Sequence, residues 1–487
     1  MTGPRSGERS DISHWRSQKN AVGLPANQSG GLRGPRCIVL RSTITEFAKM
    51  IAARFLLTII CAFTVFGHCV RADESIVDSS ASTDVDYALK IKGTISAPSP
   101  NGPITLPLES SGKFRFATHR FPTDVGGPMA IRAVREFQLA ETETVVAKDH
   151  RTRLTLSRPY RFLHIFGSHT GLEQVSPTYL LPRRELDLIQ MPFDVLATDS
   201  LAPPSIAAVE AKSWNTDSWV VPMLSGLQAV AEQSVVCTLK EESREKLVVS
   251  FQGKAEGAVD GSGSTLSFAG EFTINRETRI ISELKVTQKE KRSPGPVSPG
   301  LDVTIEVQWT QKPTRRTDKP VTAVMATDAQ RRLVVRTPVQ LQMKVGRDWH
   351  VFHEAGQTIL LRQLKDGELI SQCNLTRAIT VPPGEHTSDA EFLDNVKTLV
   401  AESKGSVVNQ ETIRDDKQWR VRHVQAVGDA GGEVIVWDYF LCSEAGGRQF
   451  SLLFSHARKD EKKYANAAGE ILKGISLMRT KPKLPFQ

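Results

Sequence analysis

The chain has no apolar run long enough to cross a bilayer comfortably, which takes about 20 residues. Its most apolar segment, Phe55 to Phe66, spans 12 residues, and a polytopic membrane protein is excluded. Cysteine is scarce, with 6 in 487 residues. None lies in a C-x-x-C pair, so a thioredoxin-like or zinc-ribbon site has no support. Aromatics are 7%, and the 34 Gly and 26 Pro show no collagen-like period. No G-x-x-x-x-G-K-[ST] or G-x-G-x-x-G stands at a strand-to-helix turn, so no phosphate cradle is present. H-E-x-x-H is absent as well.

A charge of one sign is also missing from most of the chain. The total is 62 Lys+Arg against 54 Asp+Glu, but residues 1–72 hold ten basic and three acidic residues. That leaves 52 against 51 in the body. The basic isoelectric point is therefore a property of the leader, and nucleic acid is not an expected partner.

What is present begins with an export signal. Met50-Ile-Ala-Ala-Arg54 is a short basic n-region, the 55–66 run follows, and Val70-Arg-Ala72 offers small or apolar residues at the −3 and −1 positions. That order predicts a signal peptide over 50–72 cut between Ala72 and Asp73. An uncleaved single-pass anchor at 51–70 is the alternative. Residues 1–49 are Arg-, Ser- and Gly-rich without a period, and read as disordered or as lying ahead of the true start, Met50. The expected location is periplasmic or extracellular. Cys237, Cys373 and Cys442 remain in the body, an odd number. Cys373 and Cys442 both fall in predicted strands and could bridge if neighbours; buried apolar thiols are the simpler reading.

At a soft prior of about 150 residues per domain, 487 residues suggest two to three. Residues 73–84 read as a polar tether. Over 85–310 apolar and polar residues alternate with period two, most cleanly at Leu301, Val303, Ile305, Val307 and Trp309. Such one-sided strands belong to an antiparallel sheet with one buried face. Leu266, Phe268, Phe272 and Ile274 share a face, with Gly270 read as a bulge or bend. One helix is predicted after Pro222, from Met223, Leu227, Val230 and Ala231. That helix and the Pro-rich segment 176–208 would cover the apolar face. This arrangement resembles, in architecture, the lipoprotein-localisation-factor (LolA/LolB-like) half-barrel.

A Pro- and Lys/Arg-rich linker is placed at 311–338, and an α+β domain at 339–481. Strands are expected at Trp349–His353, Gln357–Leu364, Glu368–Leu375, Trp419–Val427, Glu433–Cys442 and Gln449–Ser455. Ser388-Asp-Ala-Glu391 reads as a capping box opening a helix with Phe392, Val396, Leu399 and Val400 on one face. A closing helix from near Asp460 would carry Tyr464, Ala467, Ala468, Ile471, Leu472 and Ile475. Trp349, Gly367-Glu-Leu-Ile-Ser-Gln-Cys-Asn374, Pro383-Gly384, Trp437-Asp-Tyr-Phe440 and Gly447-Arg-Gln449 resemble the Mog/PsbP-like family over about 340–480. The resemblance implies an antiparallel sheet sandwiched by helices and a binding or assembly role, with no site residue carried over. The overall fold class expected is β-rich α+β: a large antiparallel meander with one covering helix, then an antiparallel sheet flanked by two helices.

The catalytic and metal constellations in the chain are incomplete. Ser243-Arg-Glu-Lys246 has S-x-x-K spacing but sits in a charged turn. Gly167-Ser-His-Thr-Gly171 places its serine one position early for a nucleophile elbow. His350 and His353, beside Glu354, point to opposite faces of a strand, so one ion cannot easily take both. His164 and His169 flank a loop. Asp260 and Glu271 have the outer spacing of a calcium loop, but Ser262, Ser264 and Thr265 replace the inner residues, and a hairpin turn is the simpler reading. No cofactor is called for. The expectation is an exported, non-enzymatic protein for binding, carriage or envelope assembly, its partner a lipid, an acyl chain or an envelope protein. A structural or protein-interaction module is the alternative, and an enzyme of unrecognised type the third.

Overall fold

The computed structural model describes residues 76–78, 80–97, 102–121, 126–314 and 326–478. The signal segment, the cleavage pair Ala72 and Asp73, and residues 315–325 of the expected linker lie outside them.

The chain opens with strands β1 (Thr83–Ala97), β2 (Ile104–Arg120), β3 (Arg132–Val146), β4 (His150–Thr155), β5 (Phe162–Ser168), β6 (Gly171–Val175) and β7 (Leu181–Pro182). Helices α1 (Arg183–Ile189), α2 (Val195–Thr198) and α3 (Ile206–Ala211) follow, then β8 (Ser213–Asn215) and α4 (Val220–Ser225). Next come β9 (Ala229–Glu242), β10 (Lys246–Val259), β11 (Ser262–Asn275), β12 (Ile280–Arg292) and β13 (Gly300–Pro313). Eleven of these strands, with β4 beside β3, form a 12-stranded antiparallel sheet in the order β6-β5-β3-β2-β1-β13-β12-β11-β10-β9-β8. The alternating pattern thus has its expected consequence. Phe114, Tyr87, Trp309, Leu284, Phe272, Val249 and Leu239 form one row across seven strands, and all are buried.

Several local expectations fail for physical reasons. Gly270 is no bulge: it stays in register between Phe251 and Val286, where a Cβ would sit 2.7 Å from the Phe251 ring. The helix expected through Ala231 stops at Ser225, because Gly226 turns left-handed (φ +75°) and releases Ala229 into β9. The 17-residue β2 lies outside the expected strands: its first half alternates only between half-buried residues such as Leu106 and Leu108 and exposed ones, and Pro107 and Gly112 interrupt its apolar pattern.

The second half contains α5 (Asp328–Arg331), β14 (Leu333–Arg336), β15 (Leu341–Val345), β16 (Trp349–Ala355), β17 (Thr358–Lys365) and β18 (Glu368–Arg377). It continues with α6 (Asp389–Ala401), β19 (Ser406–Asp415), β20 (Trp419–Ala430), β21 (Glu433–Glu444) and β22 (Gln449–Ala457). It closes with α7 (Glu461–Tyr464), α8 (Ala467–Lys473) and β23 (Ser476–Leu477). A seven-stranded antiparallel sheet runs β16-β17-β18-β22-β21-β20-β19. The Asp366-Gly367 turn takes positive φ at both residues, 52° and 79°, as a two-residue hairpin loop demands. Ser388 Oγ accepts the Glu391 amide at 3.2 Å and starts α6, whose Phe392, Val396 and Val400 are buried. The closing helix is broken in two by Asn466, left-handed at φ 65°.

A small four-stranded sheet, β23-β15-β14-β7, ties the halves together. Leu333–Arg336, expected to be linker, is β14, and it pairs in parallel with Leu181 and Pro182 of β7. One apolar cluster runs from Val77 and Tyr87 through Leu341 and Met343 to Phe454 and Ile475. A second lies between α6 and the outer face of the seven-stranded sheet, around Val424, Trp437 and Tyr439.

Candidate functional site

The apolar face of the first sheet is closed by residues 181–227, a strap of short helices. Ile189, Phe193, Val195, Leu201, Val220 and Leu224 are fully buried against it. None of the four helices exceeds seven residues. Phe193 N donates to Leu224 O at 2.8 Å within the strap, and sheet side chains fasten it to the sheet. Tyr87 Oη donates to the Pro192 carbonyl at 2.5 Å and Trp309 Nε1 to that of Phe193 at 3.0 Å. Gln174 Nε2 donates to Ile189 O at 2.9 Å, and within the strap Trp214 Nε1 donates to Leu201 O at 3.1 Å.

At the centre stands a buried ion pair. Arg135 on β3 donates from Nη1 and Nη2 to both oxygens of Asp194, at 2.8 and 2.7 Å. The side chains are 0% and 1% exposed. The guanidinium lies 4.3 Å from the Phe116 ring centroid and 5.8 Å from that of Phe137. Asp194 also caps α2 through the Leu196 amide at 3.0 Å. Arg120 reaches Asp199 and the Val195 carbonyl nearby. Burial lowers its pKa to about 10, against the pull of Asp194. A pair this dry costs much desolvation and is held by geometry and extra bonds. Sequence reading missed this clamp: a lone Arg135 in a strand and an Asp194 in a Pro-rich segment carry no joint signal 59 residues apart.

The opposite face of the sheet is polar and carries two adjoining hollows, of about 240 and 460 Å³. They share Ala88, Lys285 and Gln308 as floor and wall. Lys90, Lys113 and Arg115 stand among Asp86, Glu283 and Glu306, so the charge there is mixed.

The inner face of the seven-stranded sheet holds a second polar group. His423 Nδ1 lies 3.1 Å from Glu411 Oε1 and Nε2 lies 2.9 Å from Asp438 Oδ1. Gln425 Nε2 also donates to Asp438 Oδ1 at 2.9 Å. The His423 ring stacks on Phe440 at 4.4 Å. Burial works against a charge on this ring, but the bonds to Asp438 and Glu411 outweigh it and raise the pKa.

The residues singled out from sequence are scattered. His350 bonds Arg183 Nη2 at 3.1 Å, and burial with that guanidinium lowers its pKa to about 4. His353 is exposed and on the far side of a bulge, while Glu354 pairs with Arg184. His164 packs between Phe162 and Phe166, and His169 sits in the β5–β6 turn. Asp260 and Gly261 form the left-handed β10–β11 turn, with Asp260 held by Gln228. Ser243 Oγ accepts the Lys246 amide in the β9–β10 turn. No group of three or more metal-ligand side chains gathers among the described residues. Cys237, Cys373 and Cys442 are free and buried. A Cys373–Cys442 bridge is ruled out by topology: β22 lies between β18 and β21, placing the two thiols two strand spacings apart. That is roughly 9–10 Å, beyond the Cα reach of a disulfide. Burial raises the pKa of both thiols, Cys442 to about 12.

No family profile and no curated protein matches the chain. Solved structures share only distant likeness. A protein of Bacteroides thetaiotaomicron is 12% identical at TM-score 0.21, the match covering 30% of this chain and 48%, about half, of that one. A putative AttH of Nitrosomonas europaea is 10% identical at TM-score 0.14, covering 77% of this chain and 93% of that one. The translocator domain of autotransporter NalP from Neisseria meningitidis is 6% identical at TM-score 0.10, covering 85% and 96%. Scores this low carry no argument about function. Among the described residues no helix is long and apolar enough to cross a membrane, which says nothing of a β-barrel.

Proposed function

We propose that this is an exported, non-enzymatic carrier that takes an acyl chain or lipid between the first sheet and its strap. The observation that carries the reading is the way the strap is held. Apart from the three-residue β8, which pairs with β9, its contact with the sheet is apolar and fastened by side-chain clamps, chiefly Tyr87, Arg120, Arg135, Gln174, Gln233 and Trp309. Short helices fastened by side chains can swing off an apolar face at lower cost than strands laced into it. The face they would uncover, from Leu239 across to Phe114, is a continuous apolar surface that an alkyl chain fits. The export part of the reading rests on the 50–72 segment.

Two experiments test this. Delipidated protein titrated with a fluorescent fatty-acid probe is expected to bind saturably, and Phe193→Trp to report the binding through its own emission. A linear, non-saturating titration removes the carrier reading. N-terminal sequencing of the exported chain is expected to begin at Asp73. The second reading, a protein-interaction module, is favoured by one feature. Edge strand β19 is exposed along most of its length, and Val408 and Ile413 stand out 55% and 49% exposed at its two bulges. Capture of one envelope protein lost in Val408→Asp, without probe uptake, would favour it.

A further inference from the structure

The inner face of the second sheet holds a contiguous polar patch that lipid carriage leaves unused. Gln363, Ser371 and His456 are direct register neighbours on β17, β18 and β22. Tyr464 of α7 lies over them, its ring stacked on His456 at 4.1 Å and 25°. All four residues are buried. Five of their polar atoms make no hydrogen bond: Gln363 Oε1, Ser371 Oγ, both ring nitrogens of His456 and Tyr464 Oη. Buried polar atoms are nearly always paired, and each orphan costs free energy that opening would recover. Five in one place mark a seam where closure is weakest.

The contrast with His423, two inner-face rows away, sets the chemistry. Both nitrogens of that ring face carboxylates, which favour the doubly protonated ring and raise its pKa. His456 has no such partners. Burial lowers its pKa, and the charges of Asp438, Glu461 and Asp460 pull weakly the other way. These are the charged groups that face it, beside the neutral Ser371, Cys373 and Tyr464. Asp438 is already committed to His423 and Gln425, and Tyr464 Oη faces it without closing a good bond. Asp460 and Glu461 stand at the start of α7 itself.

We propose that α7 is an acid-released flap over the second sheet, opened when the His456 ring takes a proton. The imidazolium has two N–H groups and no acceptor beneath Tyr464. Besides Asp438, the carboxylates that act on it are Glu461 and Asp460, the latter paired with Lys463 at 3.7 Å, and the ring would gain them as acceptors once α7 swings out. The hinge is present: Ala465 and Asn466 break the helix, and Asn466 takes a left-handed conformation that asparagine tolerates. The other ties of α7 are weak. Lys463 reaches Glu368 at 2.6 Å with both side chains about half exposed or more, and Lys365 Nζ reaches Lys463 O at 3.1 Å. Tyr464 is its one buried residue, whereas α8 is anchored by Ala468, Ile471 and Leu472 and stays in place.

The test is NMR of the exported chain labelled in His and Tyr, from pH 8 to pH 5, with hydrogen exchange of 458–466. His456 is expected to titrate below about 6.5, the unperturbed value. As it does, its contact with the Tyr464 ring should vanish. Exchange in 458–466, corrected for intrinsic rates, should rise by up to about tenfold per pH unit. His456→Gln should abolish that rise and His423→Gln should not. A His456 that titrates at or above 6.5, a stack that survives protonation, or the same pH response in His456→Gln would overturn the flap. The wild-type titration decides alone if a variant does not fold.

Discussion

The two sheets close their inner faces in opposite ways. Over the first sheet, polar side chains are spent on the covering strap: Arg135 on Asp194, Tyr87 on Pro192, Trp309 on Phe193. Under α7, Gln363 Nε2 reaches Asp348 at 2.6 Å, but Gln363 Oε1, Ser371 Oγ, both His456 nitrogens and Tyr464 Oη close no hydrogen bond. A buried polar group stabilises a closure only through the partner it finds. By that measure the strap is latched shut and α7 is merely laid down. On the proposed reading, the strap would open when an alkyl chain replaces its contacts, and α7 would open when its own cover becomes unfavourable.

The largest expected effect breaks the latch. Arg135→Met alone strands Asp194 in an apolar interior and should cost about 3–5 kcal/mol. Adding Asp194→Leu should recover most of it, because the desolvated charges then vanish together. Urea unfolding of both variants at pH 7.5 checks this. If the double variant is as unstable as the single one, the latch is not an ion-pair effect.

Of this arrangement, the sequence disclosed the sheets and hid the closures. The row through Val303, Val307 and Trp309 alternates without interruption, and period two is a direct image of a sheet with one buried side. Likewise Ser388 announced α6, because a helix start needs its amides capped locally, although only the serine half of the expected capping box forms. The cover was expected as one helix after Pro222 with the Pro-rich segment 176–208, and its clamps join residues such as Tyr87 and Pro192, 105 positions apart. No local pattern encodes such a pair. The His423 pair with Asp438 failed to register for the same reason, since the two meet only across the β20–β21 ladder. The closing stripe of Tyr464, Ala468, Ile471 and Leu472 faced the core as expected, but Asn466 split its helix.

The next prediction sharpens the comparison through pH. His423 has a raised pKa in the folded chain, so its contribution is full below about 6.5 and is lost as pH rises through its folded value. His456 has a lowered one, so its neutral form stabilises above about 6.5 and stability falls as pH drops toward its folded value. In the wild type the two slopes oppose each other. His456→Gln should make the chain gain stability on acidification from pH 7.5 to 5.5, and His423→Gln should make it lose. Each slope is at most about 1.4 kcal/mol per pH unit. Denaturant midpoints across that range check it, and equal slopes in both variants would show that the rings are equivalent.

The smallest effect separates the two closures with one chemical change. Tyr87→Phe and Tyr464→Phe each delete a hydroxyl from a buried ring, 3% and 7% exposed, and leave the ring itself in place. Tyr87 Oη is a donor to the Pro192 carbonyl at 2.5 Å, so its loss leaves that carbonyl unanswered in an apolar seam. A cost of about 1–2 kcal/mol follows. Tyr464 Oη faces Asp438 without closing a good bond, and its removal lifts a desolvated dipole out of the stack on His456. That variant should be neutral or slightly more stable at pH 7.5. It should also need a lower pH to open, because the flap then covers one orphan fewer. Thermal unfolding of the two variants side by side decides it: equal losses would mean that Tyr464 has a partner in solution, and that α7 is latched after all.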